Sequence, residues 1–234
     1  MTFIDPNDPK EVVKHPYSIV TPQRGGDAVV GLMTMLRNDG VKCFIAGGFA
    51  RWVLSPNDTT PCPGDIDIYF QDEPSYSMAK FVLGKEGFKI ALETNNALTL
   101  NPPNSAEFDE PLNIQLIKPS NNRQGSVYDV LDAFDLNICQ AALVIKDDNT
   151  LKGYVSQGFN WGEANQRMHI LNISSPLATL QRCMKYAGRG YKISSKNLMK
   201  VFIEWDGRSA DERTRIRNLM ESGGFKELYD LLDK

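Results

Sequence analysis

Lys42-Cys43-Phe44-Ile45-Ala46-Gly47-Gly48-Phe49-Ala50-Arg51, followed by Asp65-Ile66-Asp67-Ile68-Tyr69-Phe70, is the stretch whose reading decides the fold. Lys42 to Ala46 is an apolar run that reads as a strand, and Phe49 to Leu54 opens a helix. Between them Gly47-Gly48 admits backbone angles closed to other residues. A strand, a tight glycine turn and a helix N-terminus aim backbone N–H groups at one spot, which is how a chain grips phosphate without a lysine. Asp65 to Phe70 reads as a second strand, and side chains alternate along it. Asp65 and Asp67 therefore share one face while Ile66 and Ile68 share the other. Two carboxylates that close repel one another unless a positive charge sits between them, and such hard oxygen ligands suit Mg²⁺ or Mn²⁺. Phosphate grip and metal ligands converge, which points to phosphoryl chemistry.

With Gly47-Gly48-x-x-Arg51 and Asp65-x-Asp67, the chain resembles the DNA polymerase β-like nucleotidyltransferase superfamily. It is most similar to the branch holding the CCA-adding enzymes and small, toxin-like nucleotidyltransferases. The resemblance covers roughly residues 27 to 145. It departs from the family at Ser55 to Gly64, an insert carrying Pro56, Pro61 and Pro63. The resemblance implies two ions held by three acidic side chains. Asp135 is the expected third, at the start of a predicted strand from Asp135 to Val144, with Asp129 and Asp132 as rivals. On the strand predicted at Asn113 to Ile117, the site-facing residue would be Asn113 or Gln115, neither a strong magnesium ligand.

Outside this region the composition is that of an ordinary globular chain: 234 residues, 41% hydrophobic and 24% charged, with a formal net charge of −3. No apolar stretch approaches the roughly 18 residues of a membrane span, and the N-terminus lacks a basic region followed by an apolar one. A cytoplasmic location is expected. Cys43, Cys62, Cys139 and Cys183 form no CxxC pair, which argues against a zinc site. His15 and His169 are read as structural or surface residues. Charge divides by region. Residues 174 to 234 hold 12 Lys and Arg against 8 Asp and Glu, a net of +4, so the rest hold 14 against 21, a net of −7. No acid stands between Ser174 and Ile203, and this basic stretch is the expected anion-facing surface.

The coarse organisation is an α/β (α+β) chain in three parts: an N-terminal arm at 1–26, a mixed-sheet catalytic domain flanked by helices at 27–173, and a small helical subdomain at 174–234. The core begins with a helix from Asp27 to Asp39, whose stripe of Val29, Val30, Leu32, Met33 and Leu36 should be buried before Gly40 ends it. Further elements are expected as a helix at Ser75 to Leu83, a hairpin at Phe88 to Leu100 turning on Asn95-Asn96, a helical stretch at Ser126 to Ala133, and a strand at Leu151 to Val155. In the tail, Ser175-Pro176 opens a helix to Ala187, Ser194 opens another, and Ser209 with Glu212 makes a capping box for a third. Gly223-Gly224 then precedes a short last helix.

The resemblance implies transfer of a nucleoside monophosphate from an NTP, with ATP the usual choice, to a hydroxyl acceptor. Asp65, Asp67 and Asp135 would hold the ions, roughly 3.5 to 4 Å apart. Gly47 and Gly48 would take the phosphates, and Arg51, Arg182, Lys185 and Tyr186 would serve nucleotide binding. Arg182, Lys185 and Tyr186 lie three and four apart and share a helix face. An RNA (tRNA) 3′ end is the first acceptor, since basic residues with Tyr186 and Tyr191 suit a phosphate backbone and stacked bases. A protein or small-molecule hydroxyl is the alternative. A catalytically inactive nucleotide-binding or interaction protein with the same fold is the second class, favoured if Asp135 points away from the Asp65 and Asp67 pair.

Overall fold

The structure is a computed structural model that describes residues 17–22, 27–55, 62–103, 112–120 and 124–211, with 213, 214 and 218. The arm up to residue 16, the tip of the proline-bearing insert, the Ser209/Glu212 capping box and the last predicted helix fall wholly or partly outside them. In chain order the elements are β1 (Ser18–Val20), α1 (Asp27–Asn38), β2 (Cys43–Ala46), α2 (Gly48–Leu54), β3 (Asp65–Phe70), α3 (Glu73–Lys85), β4 (Lys89–Glu93), β5 (Ala97–Asn101), β6 (Asn113–Ile117), α4 (Val127–Asp132), β7 (Ala141–Ile145), β8 (Leu151–Val155), α5 (Gln157–Asn165), α6 (Pro176–Ala187) and α7 (Ser195–Asp206).

The eight strands form one mixed sheet in the order β1-β8-β7-β2-β3-β6-β5-β4. The pair β3/β6 is parallel; every other strand pair is antiparallel. Alternation along β3 works as its sequence demands. Ile66, Ile68 and Phe70 are fully buried in the main core, with Val29, Met33 and Leu36 of α1, Phe49 and Val53 of α2, and Leu83 of α3. Each such side chain contributes about 1.5–3 kcal/mol to folding. That burial fixes the register, because a one-residue slip would carry the isoleucines out and the aspartates in. The opposite face is thinner. Phe44, Ala46, Ala142 and Tyr154 pack there with Val130 and Leu131 of α4.

Two expectations are corrected. The run Asp135 to Gln140 is not strand: a 3₁₀ turn occupies Asn137–Cys139, and β7 starts only at Ala141. Its polar residues point inward and are satisfied off the sheet. Asn137 donates to the Gly158 carbonyl (2.8 Å) and accepts from the His169 amide (2.6 Å). Gln140 donates to the Leu131 carbonyl (3.0 Å) and accepts from the Ser156 hydroxyl (2.7 Å). Helix α5, capped by Ser156 through the Phe159 amide, was not expected from the sequence. Its Gly158 and Gly162 weaken the local helix signal, yet a Cβ at Gly162 would stand 2.6 Å from the Asn137 amide nitrogen, so close packing demands the glycine. A second core cluster joins Leu136, Ile138, Met168 and Ile170 to Cys183, Tyr186 and Val201 of α6 and α7. No helix among the described residues is long and apolar enough to cross a membrane.

Candidate active site

Strand β3 presents Asp65 and Asp67 on the thinly covered face, at the end where β2 turns through Gly47 into α2. Register places Ala46 opposite Asp67 on one side, and Asn113 and Gln115 opposite Asp65 and Asp67 on the other. Gly47 has φ 84°, which glycine alone adopts readily. A Cβ there would also meet the Asp67 carboxylate at 2.9 Å, whereas nothing lies within 4 Å of one at Gly48. The turn is thus moulded on Asp67 at its first glycine and open at its second. Gln115 donates from Nε2 to Asp65 Oδ2 in a long hydrogen bond of 3.4 Å.

The electrostatics of the pair invite a cation. Burial first, and the neighbouring Asp65 charge second, push the Asp67 carboxyl up to about 7, while Lys185 pulls it down. A carboxylate held in that state gains from a hard cation beside it. The donor set fits one such ion, with Asp65 and Asp67 as the residues to hold it. It does not fit three acids around two ions: among the described residues no three His, Cys, Asp or Glu side chains meet closely enough to hold a metal.

The other expected site residues are placed differently. Asp135 is 6% exposed and accepts from Thr179 Oγ1 (2.8 Å) and Arg182 Nε (2.7 Å). It belongs to an ion pair at the foot of α6, and so does Arg182. The rivals are also engaged. Asp129 closes a capping box with Ser126, and Asp132 accepts from the Tyr17 hydroxyl. Arg51 is wholly buried: its guanidinium lies between the rings of Tyr186 and Tyr191, 4.9 Å from each centroid, and pairs with Glu163 at 3.2 Å. Tyr191 and Ser55 both donate to the same Glu163 carboxylate. Arg51 and Tyr186, expected to serve nucleotide binding, are buried against one another. They lock α2 to α5 and α6, and the consequence is to hold Lys185, next to Tyr186, within the field of Asp67. Glu163 was missed by the sequence reading because its partner is more than a hundred residues away; the Ser156 cap before it was the one local signal.

Residues 26–165 match the family described as Gabija anti-defense 2 (Gad2) family protein. The chain belongs to that family. No curated protein matches this Gad2-family chain. Among solved structures it is similar to the apo form of a CCA-adding enzyme (TM-score 0.56, 14% identity, 85% of this chain and 49% of that one). It is also similar to the Thermotoga maritima CCA-adding enzyme complexed with tRNA (0.54, 14%, 83% and 45%) and to the Bacillus stearothermophilus CCA-adding enzyme with CTP (0.54, 11%, 76% and 42%). The likeness is one of fold, a nucleotidyltransferase-like α+β architecture, and the chain spans about half the length of these neighbours.

Proposed function

We propose that this chain transfers a nucleoside monophosphate from an NTP to a hydroxyl group, in the setting of countering the Gabija defence that its family's description names. The observation that carries the reading is the set formed by Asp65, Asp67, the Gly47 turn moulded on Asp67, and Lys185 acting on the same carboxylate. A divalent cation bound by the pair would supply charge neutralisation for the triphosphate. Around it the chain's own groups position and stabilise. The open backbone at Gly48 faces the phosphates, and the Lys185 ammonium offsets charge gathering on the departing pyrophosphate. The acceptor oxygen bonds to the α-phosphorus, the bond to the pyrophosphate oxygen breaks, and the acceptor proton leaves to solvent. Magnesium or manganese and ATP are the expected partners.

For the acceptor, the stacking surface expected for an RNA 3′ end is taken up inside the fold, which favours a protein or small-molecule hydroxyl. Tyr186 and Tyr191, the rings that would stack on bases, are 3% and 7% exposed and packed on Arg51. Incubating the chain and Mg²⁺ with each α-labelled NTP and with RNA, protein and small-molecule fractions should put label on the protein or small-molecule fraction. Label on RNA alone would reverse that choice. The second reading, a nucleotide-binding protein without turnover, is favoured by the pairing of Asp135 with Arg182 away from Asp65 and Asp67. Saturable NTP binding with no label in any fraction would select it.

A further inference from the structure

We infer that, before nucleotide binds, the Asp65/Asp67 centre holds one divalent cation rather than two, and that Gln115 is the residue that sets this limit. The inference rests on the nucleotidyl-transfer reading of the same site and deepens it. Strand β6 is the neighbour of β3, and residues in register across a sheet project from the same face, so a further acidic ligand from that side would stand at 113 or 115. Both positions carry amides. Gln115 turns its NH₂ toward Asp65, occupying a lone pair of Oδ2 while adding no negative charge. On the other flank β2 offers Ala46, a residue with no ligand atom in its side chain, and then the glycine turn. The charge of Lys185, itself a cation, reaches Asp67. Asp135, the remaining buried acid nearby in the sequence expectation, is neutralised by Arg182.

The charge balance decides the count. Two carboxylates match one doubly charged ion; before nucleotide binds, a second ion would add two positive charges beside Lys185 with no further protein anion to meet them, whereas a bound triphosphate brings anions of its own. Gln115→Glu supplies that anion at nearly constant shape, and Gln115→Leu removes the amide without adding charge.

The test is a Mn²⁺ titration of the full chain without nucleotide, followed by electron paramagnetic resonance. The wild type and Gln115→Leu should each hold one tightly bound Mn²⁺ per chain. Gln115→Glu should hold two, with the broadened spectrum of a spin-coupled pair. Two tightly bound ions in the wild type, both lost in Asp67→Asn, would overturn this inference while leaving the transfer reading intact. A Gln115→Glu variant that still holds one would remove Gln115 from the role. Mn²⁺ binding indifferent to both Asp65→Asn and Asp67→Asn would instead sink the underlying site assignment.

Discussion

Asp65-Ile-Asp67 and Asp135-Leu-Asn137 look alike on paper, each an aspartate followed by an apolar residue and a second polar one, and they end in opposite situations. Asp65 and Asp67 ride a regular strand with buried isoleucines locking the register, so their carboxylates share one face, Asp65 exposed and Asp67 partly buried. Asp135 lies in a loop that precedes a 3₁₀ turn and is 6% exposed, with a guanidinium already against it. Alternation assigns a face only where a strand exists. Beyond that, an acid's use is decided by its counter-charge: the first pair has a lysine's field and an Asp67 carboxyl pushed up to about 7 by burial, the second a direct ion pair.

The sharpest way to break the contrast is to neutralise each acid in turn. Asp65→Asn or Asp67→Asn should cut nucleotide transfer by on the order of 10³-fold in a labelled-NTP assay, without lowering the melting temperature, because each removes charge from a strained pair. Retained transfer in either variant would erase the difference between the two regions.

Arg51→Met sharpens the comparison from the structural side. It leaves Glu163 buried without its cation and should cost about 3–5 kcal/mol in urea unfolding, with part of the loss recovered in the Arg51→Met/Glu163→Gln double variant. Asp135→Asn should cost less, about 1.5–3 kcal/mol, since Arg182 can turn to solvent, and it should leave Mn²⁺ affinity unchanged.

The remaining contrast is a pH dependence. Asp67 rises from 3.8 to about 7 on folding, so between those values the folded chain binds more protons than the unfolded chain and stability falls as pH rises. Asp67→Asn removes that slope. Its stability gain over the metal-free wild type should be absent below about pH 4, grow toward pH 7 and then level off, as read from melting curves across the range. Added Mg²⁺ should close the gap for the wild type above pH 7 only.

Much of the sheet could be read from sequence because its signals are local. The strands Asp65–Phe70, Asn113–Ile117 and Leu151–Val155, and the helix opened by Ser175-Pro176, carry period and cap within a few residues. Gly47 with Asp67 was readable for the same reason, as a turn and an alternating strand. What failed was long-range. Arg51, expected at a nucleotide, is paired with Glu163, Tyr186 and Tyr191, which stand more than a hundred residues away, and no periodicity announces an ion pair across that distance. Asp135 to Gln140 read as strand because buried polar residues and surface-facing ones alternate alike; only their partners, Gly158, His169, Leu131 and Ser156, tell the two apart.

The most direct test of the central claim is where a paramagnetic ion settles. Adding substoichiometric Mn²⁺ to ¹⁵N-labelled chain should broaden amide signals around Ala46 to Gly48, Asp65 to Asp67 and Asn113 to Gln115, and leave those of Asp135 to Cys139 sharper. Broadening centred on Asp135 to Cys139, with β3 untouched, would contradict the account.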